Sequence, residues 1–90
     1  MINRVKLALR LTTNAYDEDV QGLIDAAYAD LGIAGINNAY EGDPIIDRAV
    51  ITYCRMNFGS PDDYEKLKAS YDEQKAQLQT ATGYGMVEEW

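Results

Sequence analysis

Ninety residues, 47% hydrophobic and 26% charged with a formal net charge of −7, describe one small globular domain, because so short a chain buries too little surface to divide between two cores. With no histidine and one cysteine, Cys54, an internal disulfide is excluded, and the usual zinc and iron ligand sets and an imidazole base are missing, so no metal, cofactor or catalytic residue is expected. The acidity argues against tight binding to a phosphate backbone, and without a long apolar run no membrane-spanning helix is expected.

Helical spacing recurs along the chain and strand signals are sparse, so an all-α domain of four helices is predicted over residues 1–80, followed by an extended arm over 81–90. The first segment, about 2–11, carries Arg4, Lys6 and Arg10 and no acid. Its Val5, Leu7, Leu9 and Leu11 alternate as in a strand, whereas Ile2, Val5 and Leu9 suit a helix; helix is preferred because no second strand offers itself for pairing. No small-residue cleavage site follows this start, which is read as mature sequence made in a cytoplasm.

In the second segment, about 15–31, Val20, Leu23, Ile24, Ala27, Tyr28 and Leu31 form one apolar face. Asn14 with Asp17 resembles a capping box, Asp17, Glu18 and Asp19 suit the positive end of the helix dipole, and Gly32 is expected to close the helix. After the loop GIAGINNAYEGD, Asp43 caps a third helix, about 44–58, with Pro44 in its first turn. Its Ile45, Ile46, Ala49, Val50, Ile51, Tyr53, Cys54 and Met56 leave little polar surface, which marks it as the centre of the core. Gly59 ends it, Ser60 and Pro61 open a fourth helix, about 61–80, and Tyr64, Leu67, Tyr71, Gln74 and Leu78 give that helix a narrow apolar stripe. Asp62 with Lys66, and Asp72 with Lys75, are expected as helical pairs.

Four features bear on function. Residues 12–47 hold eight acids, Asp17, Glu18, Asp19, Asp25, Asp30, Glu41, Asp43 and Asp47, and no base. This is either a solvated surface or an electronegative wall along which DNA slides without sticking. Of the seven tyrosines, Tyr28, Tyr53, Tyr64 and Tyr71 read as core-boundary residues, and Tyr16, Tyr40 and Tyr84 as interface candidates. Cys54 reads as a small buried hydrophobe. Arg48 and Arg55, seven residues apart, either pair with acids of the second helix or reach a neighbouring subunit. The tail TATGYGMVEEW places Tyr84, Met86, Val87 and Trp90 after flexible glycines; it either folds back on its own domain or orders on a partner with Trp90 as anchor.

The order of these elements resembles the head-tail connector (adaptor) proteins of tailed bacteriophages. The resemblance rests on VKLALRLTTNAYDEDVQGLIDAAYADLGI, with its short basic-apolar start, acid cluster and LIDAA helix, and on DPIIDRAVITYCRMNFGSPDDYEKLKASYDEQKAQL, where an apolar helix leads through NFG to a second tyrosine-bearing helix. It implies a virion protein with no enzymatic activity, assembled as a ring, commonly twelve-fold, beneath the portal. Such a ring joins head to tail, extends the DNA channel without binding DNA specifically, and docks tail completion or stopper proteins, with a C-terminal arm engaging the portal. The arm would be Tyr84, Met86, Val87 and Trp90, and the complementary subunit patches Arg4, Lys6 and Arg10 against Asp17, Glu18, Asp19 and Asp25. The alternative from a different class is an acidic helical DNA mimic that inhibits a DNA-binding protein; a carboxylate-based enzyme finds no motif.

Overall fold

The computed structural model describes residues 1–36 and 42–80. Four helices follow one another: α1 (Ile2–Leu9), α2 (Asp17–Ile33), α3 (Pro44–Asn57) and α4 (Tyr64–Thr80), and no strand occurs among the described residues. The fold is all-α, and α3 is its centre, with α1, α2 and α4 each packed against it.

The reason lies in the side chains of α3. Ile46, Ala49, Val50 and Cys54 have no exposed surface, so this helix is apolar on more than one side and must be surrounded. Its start is fixed as its sequence predicts: the Asp43 carboxylate accepts from the backbone N–H groups of Ile45 at 2.9 Å and Ile46 at 3.3 Å, and Pro44 fills the first turn. Around it, α2 contributes Val20, Ile24, Ala27 and Leu31, α4 contributes Leu67, Tyr71 and Leu78, and α1 contributes Val5. Helical rather than strand spacing governs α1, where Val5 is buried while Leu7 is 80% exposed.

Four boundaries differ from the sequence expectation by two residues or more, each for a physical reason. Helix α1 ends at Leu9 because Arg10 turns left-handed, at φ 60°, and the Leu11 N–H reaches back to the Lys6 carbonyl at 2.8 Å. Helix α2 starts at Asp17, two residues late and without a side-chain cap, because the Asn14 carboxamide accepts from Lys6 Nζ at 2.7 Å instead of capping. It also runs on to Ile33. Gly32 stays inside the helix, and the left-handed position is Gly35, at φ 86°, with the Ile36 N–H closing on the Leu31 carbonyl at 3.1 Å. Helix α4 begins at Tyr64, its first bond running from the Leu67 N–H to the Asp63 carbonyl, so Pro61 lies in the preceding turn.

Arg10 and Gly59 occupy the same left-handed region, at φ 60° and 66°, with opposite side-chain consequences. Arg10→Gly should stabilise the protein by about 0.5–1 kcal/mol, and Gly59→Ala, although nothing stands within 4 Å of the added Cβ, should destabilise it by about 1 kcal/mol. Denaturant titrations of both variants check this; shifts of the same sign would contradict it.

Candidate functional site

The chain spends several of its charges on itself. Asp47, 2% exposed, shares a face of α3 with Val50 and Cys54, and an ionised carboxylate there is tolerable only if its oxygens are fully engaged. Arg4 of α1 donates to Oδ2 at 2.9 Å, the Tyr28 hydroxyl of α2 donates to Oδ1 at 3.1 Å, and the Gly42 N–H lies 3.3 Å from both oxygens. One side chain therefore joins α1, α2, α3 and the chain entering α3.

A second carboxylate ties α2 to α4. Asp30 accepts from the Tyr71 hydroxyl at 2.5 Å and from Lys75 Nζ at 3.2 Å, Lys75 lies 5.0 Å from the Tyr71 ring centre, and Tyr53 meets that ring edge-on at 5.4 Å. Burial raises the Asp30 pKa, but the hydrogen bonds from Tyr71 and Lys75, with the lysine charge, outweigh it and hold the carboxyl below its usual value. Tyr71 is pushed upward by burial and by its bond to Asp30, and Tyr53 by burial and the nearby Asp30 charge. Lys75 is thus committed to Asp30, and the pair within α4 is Lys68 with Asp72 at 2.9 Å rather than Asp72 with Lys75. For Lys66, no partner carboxylate lies within ion-pair distance among the described residues, so the expected bridge to Asp62 is not formed.

Of the basic residues singled out in α1, Arg4 holds Asp47 and Lys6 holds Asp17 at 2.7 Å, both within the protomer, while Arg10 is exposed. Glu18, Asp19 and Asp25 are exposed along α2, and Asp25 accepts from Gln21 of its own helix at 3.0 Å. Neither arginine of α3 pairs with α2. Arg55 is 3.8 Å from Asp63 in the turn before α4, and Arg48 is exposed with no carboxylate within ion-pair distance among the described residues. Tyr28 and Tyr53 are half-buried and Tyr71 buried, whereas Tyr64 is exposed. Tyr16 is exposed too, and it packs edge-on against Phe58 beside a groove of about 740 Å³ that Leu11 and Leu23 also line. Tyr40 and the arm residues Tyr84, Met86, Val87 and Trp90 lie outside the described residues.

Cys54 is buried and free, and burial pushes its thiol up to about 12, which removes it as a nucleophile at neutral pH. Among the described residues no three His, Cys, Asp or Glu side chains gather as a metal would need, and no helix is long and apolar enough to cross a membrane. What the arrangement offers chemically is surface: outward acids on α2, outward arginines on α3, and a shallow aromatic groove. The anchors Asp47 and Asp30 escaped the sequence reading, where both were counted with the acidic run. A signal existed for Asp47, an acid on an apolar helical face, three residues before Val50 and seven before Cys54.

A family model described as a phage connector protein covers residues 1–85 of the chain. No curated protein and no solved structure matches.

Removing the Asp47 acceptor strands donors from three parts of the fold, and Asp47→Ala should cost about 2–3 kcal/mol in a denaturant titration, less than a fully buried ion pair because Arg4 is half-exposed. A loss below about 0.5 kcal/mol would contradict the anchor. Since the folded pKa of Asp30 is depressed, its contribution is present above the unfolded value of 3.8 and lost as pH falls through the folded one. Asp30→Asn should therefore flatten the acid limb of stability below about pH 4, measured as thermal midpoint against pH. An unchanged acid limb would contradict this.

Proposed function

The chain belongs to the phage connector protein family, and from that premise we propose that it works as a ring beneath the portal of a tailed bacteriophage, extending the DNA channel toward the tail. The observation that carries this reading is the family match across 1–85, in a four-helix protomer whose internal anchors leave charged residues facing outward. A head-tail connector is a component of the virion. The finer statements here are that it acts by assembly rather than by catalysis, that it is built in the host cytoplasm, and that its neighbours are the portal above and a tail completion or stopper protein below.

A closed ring needs two different complementary patches on each protomer. The outward acids of α2, Glu18, Asp19 and Asp25, supply one such patch. The arm, with Tyr84, Met86, Val87 and Trp90, is assigned to the portal, since large apolar groups gain most when a partner buries them. The rival DNA mimic is less favoured because Asp30 and Asp47 are engaged inside the protomer, which shortens the run of acids that could track phosphates.

Coexpression with the portal of the same phage tests the assignment, comparing full-length protein with a version ending at Thr80. Only the full-length chain should copurify in quantity, and Trp90→Ala should weaken binding by about 2 kcal/mol, roughly thirty-fold, with the protomer's melting temperature unchanged. Equal binding by the shortened version, or a matching loss of protomer stability in Trp90→Ala, would contradict the portal-binding arm.

A further inference from the structure

Arg48 and Arg55 occupy one face of α3 beside α4, and both line a groove between the two helices. Arg48 borders two adjoining grooves between α3 and α4, of about 360 and 400 Å³, that share Arg48, Ser70 and Gln74. The Gln74 Oε1 atom is buried there and accepts no hydrogen bond from the described residues. Arg55 opens onto the first groove, and among the described residues its ionic contact is long, 3.8 Å to a half-exposed Asp63. Among the described residues, a cation with no carboxylate within ion-pair distance and a loosely held one on the same face leave positive charge open to an acidic partner.

The complementary face lies on the same molecule, on α2. Glu18 and Asp25 are seven residues apart, and so are Arg48 and Arg55. Seven residues span about 10.5 Å along a helix and return to nearly the same side, so the two charge pairs have equal spacing. Between the two acids sits Gly22, exposed, with nothing within 4 Å of where a Cβ would stand, which lets another helix approach closely.

We propose that the α3–α4 face bearing Arg48 and Arg55 receives the outer face of α2 from a second copy of this chain, with Glu18 and Asp25 pairing to the two arginines. The inference rests on the ring reading and names its contact. Arg4 and Lys6 serve the protomer's own fold, and the cations that reach the neighbour come from α3. Because the donor and acceptor faces are different surfaces, each copy uses both and the contact propagates head to tail until rotation closes it.

Charge reversal and re-pairing test this on full-length protein assembled with its portal, with the bound copies counted by native mass spectrometry and folding checked by circular dichroism. Arg48→Glu alone should cut the assembled fraction about ten-fold, and combining it with Glu18→Arg or with Asp25→Arg should restore assembly for whichever pairing the helix direction dictates. A parent that assembles as a ring, with Arg48→Glu assembling equally well or with neither combination restoring it, overturns this contact and leaves the ring standing. A parent that binds as a monomer or as a two-fold pair overturns the ring itself, and the contact with it.

Discussion

A carboxylate in the centre of the core helix sets the terms for the rest of this protomer. Asp47 is 2% exposed among Val50, Cys54 and their neighbours, and it is stable there only because Arg4, Tyr28 and the Gly42 N–H converge on it from three directions. Satisfying one buried charge thereby fixes where α1 crosses α3, how α2 lies beside it, and where the chain enters α3. Hydrophobic burial supplies most of the driving force, but apolar contacts alone tolerate sliding, whereas a bonded carboxylate does not. Asp30 repeats the device between α2 and α4 through Tyr71 and Lys75.

These anchors sort the charges into two populations. Arg4, Lys6 and Lys75 are consumed in holding the protomer together, with Asp47, Asp17 and Asp30 as their partners. Glu18, Asp19 and Asp25 on α2 and Arg48 on α3 remain turned outward. In the ring we propose, this separation lets contacts between copies form or weaken without disturbing the bonds that define each copy.

Much of the fold was legible in the sequence. Asp43 and Pro44 announced the start of α3 correctly because capping is local chemistry, decided by side chains two and three residues away. The buried face of α2 followed from spacing, as did Leu67, Tyr71 and Leu78 of α4, whereas Tyr64 of the same stripe is exposed. What the sequence hid was tertiary competition: Asn14 was drawn off the α2 cap by Lys6, and Lys75 was drawn from Asp72 to Asp30, in each case by a residue that only the fold brings near. The choice between the two fates of Arg48 and Arg55 had the same origin, since spacing shows that they share a face and only the packing shows that α2 of the same chain does not reach them.

The symmetry of the assembly is the decisive property, and averaged electron-microscope images of full-length protein bound to its portal would measure it directly. A single closed ring, coaxial with the portal and continuing its channel, is the predicted result. Isolated protomers scattered on the portal, or two-fold pairs with no continuous channel, would contradict it.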